Sequence, residues 1–311
     1  MGANDAIETG TEPGSDLFVA AVTGSIGLTL ADRTAGGILG NEVIAASFIG
    51  KEAFMGALGA KMVDIAWGVD KYAAATEGNA FTVLDLASDS ATVTPTRRGF
   101  ARTVSDMFRT FDSWNEVQWA QFGRESAIAW AQSVVALFGS LASTITATGG
   151  NSGGAATWAH VVAARNTLGI ANVAGPYVLL TRPKDWGNIS TDALALGGAV
   201  ARSVETQSYL SGPHPGFKGL YLNGEVAVYT TAELTASGGD HLSMMFGHGF
   251  MGWNASMPSP SPAAHTILWT PAFGCEMSRQ GLETEDDIIN STHLGASIRQ
   301  NAAGIQLPFL T

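Results

Sequence analysis

The sequence predicts an α+β protein built around one long helix and a projecting β-hairpin. Three observations predict it. A capping-box spacing at Ser113-Trp114-Asn115-Glu116 opens a helical pattern that runs to about Thr148. Residues 61–104 hold short β segments joined by polar turns. Strand signals return near the end of the chain, at Ile267–Met277 and Leu294–Leu307.

Taken in order, residues 1–40 are rich in Gly and Thr and carry no sustained periodicity, so they are expected to form an extended arm. Residues 41–60 look helical but are interrupted by Gly50, Gly56 and Gly59. The segments MVDIAWGV, FTVLDLA, ATVTPT and FARTVS then alternate with turns such as Thr76-Glu77-Gly78-Asn79, as in a long hairpin. Within the long helix, Trp130, Val134, Leu137, Phe138, Leu141 and Ile145 recur at steps of three and four. Trp130, Val134, Leu137 and Leu141 are the expected buried face, opposite Gln132, Ala136, Ser140 and Ser143. Residues 126–148 carry no charge, but polar residues throughout favour a surface helix over a membrane span. Gly149-Gly150 is the expected stop.

A linker at Asn151-Ser-Gly-Gly precedes a helix over about 156–168, with Trp158, Val161, Val162 and Leu168 on one face. Tyr177–Thr181 reads as a strand, and Pro183 as the first residue of a helix, where its missing N–H costs nothing. Residues 216–230 read as a hairpin turning at Asn223-Gly224. Residues 240–265 are rich in Met, Gly and Pro. The acidic run Glu283, Glu285, Asp286, Asp287 reads as a turn between the last two strands.

Composition bounds function. Of the 311 residues, 46% are hydrophobic and only 14% charged, against roughly 25% charged in average soluble proteins. So little charge suggests that much surface lies in contacts with other chains. The net charge of −11 gives no basic face for gripping phosphates. It is compatible with nucleic acid only as something kept at a distance by like charge. The lone Cys275 permits no intrachain disulfide. The triplets at Asn188, Asn254 and Asn290 match a glycosylation acceptor only by chance in a chain without secretory context, and the polar, acidic start MGANDAIETGTEPG is no signal peptide.

No catalytic, cofactor-binding or metal-binding residues are assigned. Gly247-His-Gly-Phe-Met-Gly252 matches the dinucleotide pattern literally, but prolines at 258, 260 and 262 exclude the helix that pattern needs. The six histidines form no HxxxH or HxH pair. The acidic run could hold a cation; a solvated turn or ion-pairing patch is the preferred reading. Arg97, Arg98, Arg102 and Arg109 form the densest basic run, on the expected returning arm of the hairpin. Anion or DNA binding, a solvated strand face, and pairing with a neighbour's carboxylates all compete for it. The chain's acidity favours the last, with Glu283, Glu285, Asp286 and Asp287 as acceptors.

The order of elements resembles the major capsid proteins of tailed bacteriophages, the Hong Kong 97 fold. Two segments carry the resemblance: Ala174-Gly-Pro-Tyr-Val-Leu-Leu-Thr-Arg-Pro-Lys-Asp-Trp-Gly-Asn-Ile189, where a strand gives way to Pro, Asp-Trp and a helix, and Gly219-Leu-Tyr-Leu-Asn-Gly-Glu-Val-Ala-Val-Tyr-Thr230. Glu225 stands where that family often has proline. The resemblance implies an N-terminal arm over 1–45, a helix and E-loop hairpin over 46–105, and a P-domain with spine helix over 106–155. An A-domain follows over 156–265, then P-domain return strands over 266–311. It implies a structural subunit, not an enzyme, assembling with itself into pentamers and hexamers around double-stranded DNA without sequence-specific binding. A separate scaffolding protein, a portal and a decoration protein are the implied partners. The virion capsid, assembled in the host bacterial cytoplasm, is the implied location. An encapsulin-type compartment shell shares this fold and stays open as an alternative. A phage tail or decoration protein and a nucleotide-binding enzyme are weaker ones.

Overall fold

The computed structural model describes residues 38–49, 60–65, 88–105, 116–197, 216–256, 265–269, 274–280 and 285–310. The Ser113 cap, Arg109 and Glu283 lie outside them, as do residues 1–37 of the expected arm. Residues 38–45 do not extend away. Asn41 caps the short helix α1 (Glu42–Ala46), its side chain accepting from the Val43 amide, and Ile38, Val43 and Ile44 are buried. Trp253 fastens this segment: its indole N–H donates to the Ile44 carbonyl at 2.8 Å, and its amide to the Ser47 carbonyl. Trp253→Phe keeps the aromatic bulk and loses that indole bond. It is expected to cost about 1 kcal/mol in urea unfolding.

Strands β1 (Ala60–Ile65) and β2 (Ser88–Val93) pair antiparallel, as the hairpin reading requires. Strand β3 (Thr96–Ser105) does not belong to the hairpin. It pairs along its length with a strand nearly two hundred residues away, from Thr96 opposite Leu294 to Ser105 opposite Glu285.

Helix α2 (Glu116–Leu141) has 26 residues, about 39 Å at 1.5 Å per residue. It ends short of the expected Thr148. A single 3-10 turn follows over Ala142–Thr144, and Ile145 is extended. The cause is local: Ser140, Ser143 and Thr144 hydroxyls each bond back to a carbonyl three residues earlier, competing with helical bonding. The β-branched run Thr144-Ile145-Thr146 then goes over to extended backbone. The inner face is Trp130, Ala131, Val134, Val135, Phe138 and Leu141. Leu137, expected at its centre, sits at its margin and is only partly buried. Gly139 lets the helix approach the 233–235 segment: a Cβ there would lie 2.8 Å from the Glu233 carbonyl oxygen.

Helix α3 (Trp158–Ile170), strand β4 (Tyr177–Thr181), helix α4 (Pro183–Ala195) and the hairpin of β5 (Phe217–Tyr221) and β6 (Val226–Thr230) follow the sequence reading closely. Asn223 (φ 61°) and Gly224 (φ 87°) take the left-handed conformations of that turn. Arg165 of α3 pairs with Glu225, and the Glu225 carbonyl accepts from the Tyr177 amide. Of these two contacts only the Arg165 pair needs the Glu225 side chain.

The Met- and Gly-rich stretch forms β7 (Ala236–Ser237), β8 (Asp240–Phe246) and β9 (Met251–Ser256). The expected strand Ile267–Met277 is two strands, β10 (His265–Trp269) and β11 (Gly274–Gln280), that pair with each other. The acidic run is not a turn throughout. Glu285, Asp286 and Asp287 begin the fourteen-residue strand β12 (Glu285–Ile298). The expected strand Leu294–Leu307 is broken by a 3-10 turn at Asn301–Ala303, and β13 (Gly304–Leu310) leaves for the other sheet.

Two main sheets result. In the first, β12 is central: β3 takes one edge, while β11 and then β9 share the other. The second has the order β13-β8-β4-β6-β5, with β7 beside β8 and a parallel β4–β6 pair at its centre. The last strand, expected to return to the domain of the long helix, thus completes the sheet of β4 and β8. Strands β4 and β6 are buried on both faces. Leu179, Val226, Val228 and Met245 face α3 and α4, packing with Trp158, Trp186 and Ile189. Val178, Leu180, Tyr229, Met244 and Phe246 face the other way into a core shared with α1, α2, β9 and β12. Helix α2 thereby ties the two sheets together. No helix among the described residues is long and apolar enough to cross a membrane.

Candidate assembly surface

Arg97, Arg98 and Arg102 lie on β3, an edge strand of the first sheet among the described residues. Alternation puts Arg98, Phe100 and Arg102 on the side of α2, and Arg97 and Thr103 on the opposite side. Contacts follow that division. Arg102 donates to Glu125 of α2 at 2.5 Å. Phe100 packs on the shared core. On the other face Thr103 donates to Asp287 at 2.7 Å, and Arg97 reaches the Ser291 hydroxyl at 3.4 Å. Arg97 and Arg98 are exposed. Gly99 is needed for the close pairing, because a Cβ there would lie 2.2 Å from the Asn290 carbonyl oxygen.

The acidic positions 285–287 stand opposite Ser105, Val104 and Thr103 in the same subunit. Sequence reasoning set the basic and acidic runs apart, at the base of a hairpin and in a remote turn. The fold places them on neighbouring strands of one sheet. Arg102 is engaged within its own chain, through an exposed pair worth about 0–1 kcal/mol. His293, opposite Arg97 in the register, is held below the usual imidazole range by burial and then by the Arg97 charge. It stays neutral at neutral pH, and Arg97 supplies the positive charge there.

A second polar group escaped sequence reasoning: Thr181, Arg182, Asp185, His241 and Ser243, where β4 meets α4. Arg182 contacts His241 Nε2 at 2.7 Å and donates to the Leu234 carbonyl, while Thr181 and Ser243 share a hydroxyl bond of 2.9 Å. Asp185 is buried in the first turn of α4. Burial pushes its carboxyl above the usual carboxylate range, against the pull of Arg182, Lys184 and Ser243. A raised folded-state pKa favours folding fully only below the unfolded value, and that contribution is lost as pH rises through the raised value. Asp185→Asn removes the ionisation with little change of shape. The variant is expected to gain melting temperature relative to wild type progressively from about pH 4 upward, and to show no gain at about pH 3. The pattern Arg182-Pro-Lys-Asp185 marked a helix start in the sequence. Nothing in it marked the partnership with His241 and Ser243 on β8.

Among the described residues no group of three or more His, Cys, Asp or Glu side chains could hold a metal ion. Gly247–Phe250 is a tight turn between β8 and β9, and the strand Met251–Ser256 follows it in place of a dinucleotide-binding helix.

No family model matches the chain, and no curated protein matches it. Solved structures do. The capsid of Ralstonia phage GP4 matches with a TM-score of 0.57 at 10% identity, over 91% of this chain and 87% of that one. A structure of Mycobacterium phage Che8 gives 0.53 at 12% identity, over 89% of each chain. The capsid of a native GTA particle gives 0.53 at 11%, over 92% of this chain and 91% of that one. The likeness spans nearly the whole chain: this protein has the fold of phage capsid structures.

Proposed function

We propose that the chain is a major capsid protein, a structural subunit that closes into an icosahedral shell of pentamers and hexamers around phage double-stranded DNA. The carrying observation is the match to phage capsid structures over 91% of the chain. The 14% charged composition supports it, since shell subunits cover much of their surface with one another. The net charge of −11 suits a wall facing packaged DNA. On this reading β1 and β2 form the stem of the E-loop and α2 is the spine. A portal is the expected partner, with a scaffolding and a decoration protein where the shell uses them, and assembly takes place in the host cytoplasm. Arg97 and Arg98 meet carboxylates of a neighbouring subunit, with Glu283, Glu285, Asp286 and Asp287 as acceptors, while Arg102 braces β3 against α2. Light scattering of the purified chain across salt and crowding conditions tests the proposal. Particles of megadalton mass are expected. A species that stays monomeric or dimeric throughout contradicts it.

A further inference from the structure

We infer that the cleft between α2 and the β3–β12 pair receives a carboxylate side chain from a second copy of this chain. The source of that carboxylate rests on the capsid reading; the chemistry of the cleft does not. The cleft has a volume of about 150 Å³ and is lined by exposed Arg98 and buried Ser126, Trp130 and Asn290, among others. Trp130 Nε1 and Asn290 Oδ1 are both buried without a hydrogen-bond partner. Buried polar atoms left in this way are uncommon, because they have given up water and gained nothing in return.

The donor set suits an anion. An indole N–H can only donate. Asn290 Nδ2 donates to Ser126 Oγ at 3.1 Å, and a serine hydroxyl both donates and accepts. The indole N–H and the Arg98 guanidinium offer two kinds of donor to one acceptor group, which a carboxylate satisfies. Arg98 forms no ion pair among the described residues, so its charge is available at this place. The chain has 27 acidic residues against 16 basic ones, so a second copy arrives with a surplus of carboxylates. The same surplus disfavours a polyphosphate strand.

Indole ¹⁵N spectra of the unassembled subunit provide the first test, with Trp130→Phe assigning the Trp130 signal. Sodium acetate is expected to move that signal saturably, and sodium chloride at equal ionic strength to leave it in place. Arg98→Gln is expected to weaken the acetate response about tenfold. No movement of the Trp130 signal, or a stronger response to sodium phosphate than to acetate, overturns the carboxylate assignment. A density map of the assembled particle tests the source. An Asp or Glu of a neighbouring subunit within about 3.2 Å of Trp130 Nε1 is expected. Water, nucleic acid or a residue of the same subunit in that place overturns the second-copy assignment. If wild type forms no particles the capsid reading fails, and the acetate titration still decides what the cleft binds.

Discussion

Phe138→Ala is expected to destabilise the subunit by about 3–5 kcal/mol, a large share of an ordinary domain's stability. Phe138 is fully buried on α2, where the helix meets α1, β9 and the second sheet. Its ring stands edge-on to Trp253 at 5.4 Å, and Trp253 in turn fastens the residues around α1. Truncation opens a cavity between elements from four parts of the chain, none of which can close in without disturbing another. Leu137, one residue away, is only partly buried, and Leu137→Ala is expected to cost about 1 kcal/mol. Urea unfolding of both variants measures the difference. Equal losses, or a larger one at Leu137, would mean that the inner face of α2 is misassigned.

Arg98→Glu is expected to abolish assembly while leaving the subunit folded. The side chain is exposed on β3 and forms no ion pair among the described residues, so reversing its charge breaks no ion pair of its own fold. At a contact with a carboxylate the reversal replaces attraction by repulsion. An exposed pair is worth only about 0–1 kcal/mol, but a shell repeats each contact many times over. Circular dichroism should be unchanged, and particles should vanish from sedimentation profiles. A second change, Glu285→Arg or Asp286→Arg, should restore them in part. Failure of every such swap would remove 285–287 from the contact and leave Arg98 with a different acceptor.

What the sequence revealed and what it concealed divide along a physical line. Elements whose signals are local were legible: the periodic face of α2, Pro183 at the start of α4, and the turn at Asn223-Gly224. Strand β3 was misplaced because its partner lies nearly two hundred residues away, and nothing within TRRGFARTVS tells a hairpin arm from a sheet edge. Strands β8 and β9 were passed over because β8 is largely buried on both faces and shows no alternation, and because the Gly and Asn of β9 carry weak strand propensity. The acidic run suggested a turn by its charge, whereas Asp287 sits at a sheet position where Thr103 can bond it. At the candidate surface the arginines were legible as a cluster. Their division between two faces of β3 was visible from alternation. Trp130 was read only as core, and Asn290 only as a chance glycosylation match. Their joint presence at one cleft depends on the β3–β12 pairing and could not be seen without it.

Electron microscopy of the purified chain tests the capsid reading most directly. Closed, uniform particles whose averages show five-fold and six-fold clusters of this subunit are predicted. A field of single, unassembled molecules under every condition that keeps the protein folded would contradict it.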